Sequence, residues 1–167
     1  MPIDFFKEGC KTTSGKSIFG LCDDLPPASN PAYIDENNSN IWIAKVHNPT
    51  KKPIDFYAID HCVKLLRADG KQAKSCDGVL KYKDNLIFVE LKSRKMKGGV
   101  WLTDGATQIK ATVFKFKENY DINTFGNVKA YVCNSLKPYA NQGHSSKIQM
   151  FKDETGLILR VQQKIEV

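Results

Sequence analysis

Three charged residues stand where charge is costly. From Ser75 to Lys97 the chain reads SCDGVLKYKDNLIFVELKSRKMK, which predicts two strands joined by a tight turn at Asp84-Asn85. Leu86 to Leu91 is a nearly unbroken apolar run interrupted by Glu90, and Lys92 follows two places later. An unpaired carboxylate or ammonium in such a strand is strongly penalised or neutralised, so these charges need partners. With Asp84-Asn85 as a two-residue loop, Lys83 pairs with Leu86, Asp77 lies opposite Lys92 and Val79 lies opposite Glu90. Alternation along the strands then puts Asp77, Glu90 and Lys92 on one face. A loop one residue longer or shorter would split them between faces. Two carboxylates and an amine at one strand end suit Mg²⁺ or Mn²⁺, hard cations that take carboxylate, water and phosphate oxygens. A cation there would stabilise charge on a scissile phosphate while Lys92 positions the attacking water, which is the chemistry of phosphodiester hydrolysis. The plainer alternative is an edge hairpin whose Glu90 and Lys92 are solvated or paired with each other.

Asp77, a strand, and then Glu90-Leu91-Lys92 resembles the signature of the PD-(D/E)XK nuclease superfamily, which includes restriction endonucleases and Holliday-junction resolvases. Cys76 stands where that signature has its proline, at the loosest position of the motif. The resemblance implies an α/β (α+β) fold with a restriction endonuclease-like αβββαβ core, a mixed sheet flanked by helices. It implies Mg²⁺ or Mn²⁺ held by Asp77, Glu90 and the backbone carbonyl of Leu91, with Lys92 catalytic. An acidic residue ahead of the hairpin often completes such a site, and Asp60 is the candidate, with Asp55 and Glu36 behind it. A solvated aspartate on a helix rim is an equal reading of Asp60. The resemblance also implies that a glutamine on the helix after the E-x-K strand reaches back to the site, a role open to Gln108, which is otherwise an ordinary surface residue.

The elements that must position these groups are legible in part. Ile41 to His47 is apolar and β-prone, a candidate strand. Pro53 is well placed to start a helix, and Phe56, Ile59, Val63 and Leu66 recur at helical spacing, predicting an amphipathic helix over 54–68 that ends near Asp69-Gly70. A second helix is expected from an N-cap at Thr103 to about Asn119, with Ala106, Ile109, Val113, Phe116 and Tyr120 on its inner face. Trp101, just ahead of it, reads as a core residue rather than a base-stacking platform. Val128 to Cys133 reads as a strand reached by a crossover. Lys147–Phe151 and Leu157–Gln162 read as a C-terminal hairpin, and residues 134–146 as loop. The core that matches the resemblance spans roughly residues 54–133, with an irregular extension over 1–40 and little room over 69–76 for the strand that should precede Asp77. Ser14-Gly15-Lys16-Ser17 resembles the end of a phosphate-binding loop, but Cys10 stands where that motif needs glycine.

Composition sets the outer bounds. The chain has 167 residues, 41% of them hydrophobic and 26% charged, as expected of one globular domain. A net charge of +7 favours a polyanionic partner. Arg94, Lys95 and Lys97 follow the proposed site, and Lys81 and Lys83 precede it, so all five are candidate nucleic-acid contacts. The partner expected is nucleic acid, DNA before RNA, with target choice left to DNA shape, a homodimer or a partner protein. Five cysteines with no C-x-x-C pair argue against a disulfide framework and for free thiols in a reducing, cytoplasmic setting. No apolar run is long enough for a membrane span, and the first residues lack the pattern of a signal peptide. Two other functions compete with a Mg²⁺-dependent endonuclease: a catalytically silent or partner-dependent nuclease-like module that binds nucleic acid or a protein, and an unrelated basic structural protein.

Overall fold

A computed structural model describes residues 2–93, 99–136 and 144–167. It is a mixed α+β structure with two sheets and two α-helices. The larger sheet has the order β1-β5-β6-β7-β8-β9, formed by β1 (Lys11–Ser14), β5 (Ile54–Ala58), β6 (Gly78–Tyr82), β7 (Asn85–Lys92), β8 (Val128–Asn134) and β9 (Ile158–Val161). The smaller has the order β10-β4-β2-β3, formed by β2 (Ile18–Cys22), β3 (Tyr33–Asp35), β4 (Ala44–His47) and β10 (Lys164–Glu166). One contiguous apolar core draws on both.

β5, β6 and β7 form an antiparallel meander, α1 (Val100–Asn119) crosses over, and β8 returns parallel to β7. β7 is buried from Leu86 to Lys92, so a near-continuous apolar run is what its place between two neighbours demands. α1 packs on this sheet through Trp101, Leu102, Ile109, Val113 and Phe116, with the Phe116 ring edge-on to Phe88 at 5.5 Å. Gly105 sets how near the helix comes: a Cβ there would meet Val132 at 3.0 Å and the Glu90 side chain at 3.3 Å. Trp101 is a core residue, as expected.

Several expectations are corrected. Residues 54–68 form no helix. Ile54–Ala58 is β5, paired with β1 and β6, and the chain then turns through Ile59–Val63. Phe56, Ile59 and Val63 are buried at helical spacing, but they belong to a strand and a turn, while Leu66 is 37% exposed. β5 is thus the strand for which 69–76 left no room, and among the described residues no α-helix precedes it. The N-terminal extension carries β1, β2 and β3 rather than loops alone, and the Ser14–Ser17 segment is the turn between β1 and β2. β4 lies in the smaller sheet, beside β2 and β10. The expected C-terminal hairpin is a helix and a strand: α2 (Ser145–Thr155) connects to β9, which lies parallel to β8. α1 begins at Val100, not after Thr103, with Gly99 at its N-cap in the left-handed region at φ 70°. Only a residue without Cβ takes that conformation freely. The cysteines are not all free, because a disulfide joins Cys10 to Cys62 while Cys22, Cys76 and Cys133 remain thiols. The thiol-based reason for a reducing compartment falls with it. Among the described residues, no helix is long and apolar enough to cross a membrane.

Candidate active site

The β6–β7 hairpin turns one position earlier than the sequence suggests. Tyr82 pairs with Asn85, so Lys83-Asp84 is the loop, and Lys83 takes φ 52°. The reason lies across the loop: the Asn85 side chain accepts the Asn127 amide at 2.8 Å, and the Asp84 carbonyl accepts the Gly126 amide at 2.8 Å. Both groups fasten the hairpin to the start of β8. Because the loop keeps two residues, pairing shifts by two and the faces are preserved. Gly78 pairs with Val89, and one step further Asp77 faces Glu90 rather than Lys92. Gly78 itself is required by close approach, since a Cβ there would lie 2.2 Å from the Phe56 ring.

Asp77, Glu90 and Lys92 meet, and all three are buried, at 5%, 2% and 7% exposure. Asp77 Oδ2 accepts the Leu91 amide at 2.6 Å. Leu91 therefore meets Asp77 through its backbone N–H. Lys92 Nζ lies 3.4 Å from Glu90 Oε1 and donates to Gln108 Oε1 at 2.8 Å. Gln108 Nε2 donates in turn to the Ser75 carbonyl at 3.3 Å. The glutamine thus ties the lysine to the segment that leads into Asp77. Thr112, one turn further along α1, accepts the Cys76 amide at 2.8 Å, so the helix holds the lead-in to β6 at two points. Cys76 is fully buried and desolvation pushes its thiol up, as for an inert packing residue.

The electrostatics follow from burial. The Asp77 carboxyl is pushed up to about 7, first by desolvation and next by the Asp23 carboxylate. Glu90 is raised well above the ordinary glutamate range, by desolvation and then by Asp77 beside it. Two desolvated carboxyls facing each other do not both ionise unaided, so burial and mutual repulsion favour a proton on the pair. Glu90 Oε2 is buried and meets no hydrogen-bond donor among the described residues, and the Asp77 and Glu90 carboxyls are close enough to share a proton.

Asp60 lies in the turn after β5, not on a helix, and still borders the site. Its carboxylate accepts Ser75 Oγ at 3.3 Å and lies 3.3 Å from His61 Nε2. Asp60, Lys74, Ser75, Lys92, Asp104 and Gln108 share an open cavity of about 340 Å³. Asp55 and Glu36 are elsewhere, accepting Thr13 Oγ1 and Ser14 Oγ. Asp23 carries no sign of its role in the sequence. It follows β2 in the smaller sheet, and its own carboxyl is raised, first by burial and then by Asp60. Only the packing of the two sheets brings it near. Lys81 and Lys83 sit towards the other end of the hairpin, Lys83 lying six positions after Asp77, or roughly 20 Å along the strand. There Lys81 Nζ lies over the Phe6 ring at 5.8 Å. Arg94, Lys95 and Lys97 lie outside the described residues.

The arrangement has the donors a small hard cation needs: one orphaned buried oxygen of Glu90 and a carboxyl of Asp77 that burial, above all, keeps from ionising. Among the described residues no group of three or more His, Cys, Asp or Glu side chains is placed to enclose an ion. Mg²⁺ does not require one, because it binds through one or two carboxylates and keeps several waters. Comparison of the chain with protein-family models, with curated proteins and with solved structures found no match.

Proposed function

We propose that this protein is a metal-dependent nuclease of PD-(D/E)XK type, hydrolysing phosphodiester bonds with Asp77, Glu90 and Lys92 as its reactive centre. The observation that carries the reading is the burial of these three groups side by side, with Glu90 Oε2 meeting no hydrogen-bond donor among the described residues. Burying charge without function is costly, and a merely structural hairpin would do better with apolar residues there. The meander β5-β6-β7, the crossover α1 and the parallel β8 support the reading, since βββαβ is the order expected of that part of a restriction endonuclease-like core.

In this reading Asp77 and Glu90 hold Mg²⁺ or Mn²⁺, which supplies Lewis-acid stabilisation of the phosphate's developing charge. The residues themselves have separable tasks. Asp77, fixed by the Leu91 amide, presents its second oxygen in one direction only. Glu90, held towards its protonated form by burial and by Asp77, would ionise more readily with a cation beside it. Lys92, clamped by Gln108, holds the attacking water in line and is kept from collapsing fully onto Glu90. Gln108 is a positioning residue, acting through Lys92 and the Ser75 carbonyl. DNA is the proposed substrate, RNA the alternative polymer of the same chemistry.

The test is cleavage of supercoiled plasmid, single-stranded DNA and RNA with Mg²⁺ or Mn²⁺. The expected result is cleavage of one of them that stops with chelator and is lost in Glu90→Gln and Lys92→Ala, with both variants folded. Chelator-resistant cleavage, or no cleavage of any substrate, would reject the reading.

A further inference from the structure

The floor of the candidate site is acidic, and that poses a problem for any polyanion. Asp60 and Asp104 border the cavity, and the Asp23 carboxylate is near enough to act on Asp77. A phosphate backbone would be repelled by such a floor unless cations at the rim attract it.

One rim element carries them. After the turn at Ile59–Val63 the chain makes a small antiparallel hairpin over residues 64–74, in which Leu66 bridges Gln72. The Ala73 amide donates to the Leu65 carbonyl and the Arg67 amide to the Lys71 carbonyl, both at 2.8 Å, and Gly70 turns the tip at φ 80°. Leu65 is fully buried and Ala73 nearly so, which roots the base in the core. The root is tied to the catalytic strand as well. The Ile59 amide donates to the Asp77 carbonyl at 2.9 Å, the Asp60 amide donates to the Cys76 carbonyl at 3.2 Å, and Cys62 is bonded to Cys10. Outside that root the hairpin is exposed and basic: it carries Lys64, Arg67, Lys71 and Lys74 against Asp69 alone. Asp69 is occupied by Arg67 at 2.8 Å, and among the described residues Lys64, Lys71 and Lys74 form no ion pair. Lys74 lines the same cavity as Lys92 and Gln108, and Lys64 lines a neighbouring one of about 420 Å³ that shares Asp60.

We infer that the hairpin over 64–74 is the grip by which nucleic acid is held across the site, with Lys74 and Lys64, opposite each other at its base, nearest the scissile phosphate and Lys71, towards the tip, on a phosphate further along. This rests on the phosphodiester substrate proposed above. From Lys74 to Lys71 the arm rises roughly 10 Å, enough for base and tip to reach separate phosphates of one strand. The fixed root places the grip relative to Asp77 before the substrate arrives, so little ordering is needed on binding.

The experiment compares the wild type with the triple variant Lys64→Gln, Lys71→Gln, Lys74→Gln in chelator. Fluorescence anisotropy is read against salt with a 20-base-pair DNA duplex, the same single strand and an RNA duplex. The Lys81→Gln, Lys83→Gln double variant serves as the remote control. The triple variant is expected to bind the preferred polymer at least about tenfold more weakly at 0.1 M salt. Its slope of log affinity against log salt should be shallower by about 2 to 3, at about 0.9 for each phosphate no longer neutralised on duplex DNA. The remote double variant should keep the wild-type slope, and thermal melts should confirm that all three proteins are folded. An unchanged slope in the triple variant, an equal loss in the remote one, or no binding of any polymer by the wild type would overturn the grip. A wild type that binds through these lysines yet never cleaves with Mg²⁺ or Mn²⁺ would instead overturn the nuclease and leave the grip standing.

Discussion

The two ends of the β6–β7 hairpin carry similar residues and treat them in opposite ways. At the turn, Lys83 and Asp84 are exposed, and Lys81 is only half-buried, stretched over an aromatic ring. At the other end Asp77, Glu90 and Lys92 are buried, raised in pKa where they are acids, and locked by Leu91 and Gln108. Charge in water costs little and specifies little; charge withheld from water is retained where something must be bound or activated. The hairpin therefore separates a solvated end that fixes register from a desolvated end that can do chemistry.

Substitution should expose the contrast, and its largest consequence concerns activity. Lys92→Ala or Glu90→Gln should lower cleavage by about 100-fold or more, in the range expected for loss of a group acting in the transition state. Lys83→Ala should leave the rate of hydrolysis within about twofold; initial-rate assays at saturating substrate decide both. Loss of the disulfide comes next. Cys10→Ser should destabilise the fold by up to about 4 kcal/mol, the loop-closure contribution for a separation of 52 residues, read by urea unfolding.

A comparable effect separates the ends by pH. The folded-state carboxyl of Asp77 is raised from 3.8 to about 7, so the native state holds a proton that the unfolded chain has released. Its contribution to stability is full below about pH 4, declines as pH rises towards 7, and is gone above that. Asp77→Asn should remove this decline and gain up to about 4 kcal/mol at pH 8, whereas Asp84→Asn should change nothing measurable; urea unfolding at pH 5 and pH 8 reads both. Mg²⁺ should oppose the same decline by favouring the ionised pair, and it should bind more tightly at pH 8 than at pH 6. The smallest effect is expected of Gln108→Ala, about tenfold in the rate constant with little change in KM, since it acts through Lys92. Gln108→Glu should shift the acid limb of the pH–rate profile, which loss of packing alone would not.

Legibility in the sequence follows the reach of each signal. β7, β8 and α1 are local patterns, because a buried strand is an apolar run and a helix on a sheet has a stripe such as Ile109, Val113 and Phe116. The shared face of Asp77, Glu90 and Lys92 is preserved although the register differs from the expected one, because pairing moves by two positions and not one. β5 mimics a helix because Phe56, Ile59 and Val63 fall at helical spacing while belonging to a strand and its turn. α2 is hidden for the opposite reason: only Phe151 and Thr155 are buried on it, and Met150 is 60% exposed, so no apolar stripe announces a helix. Asp23 and the Cys10–Cys62 bond have no local signature at all. Each joins parts of the chain that only the finished packing brings together.

Asp77 and Glu90 must form one cation site if the rest is to hold. A crystal grown at pH 7.5 and soaked in Mn²⁺, with anomalous data collected, tests this most directly. The expected result is a single anomalous peak between the two carboxylates, bonded to one oxygen of each, with the Lys92–Gln108 hydrogen bond intact. Clear density for both side chains with no peak between them, or a peak bound at the rim without Glu90, would contradict it.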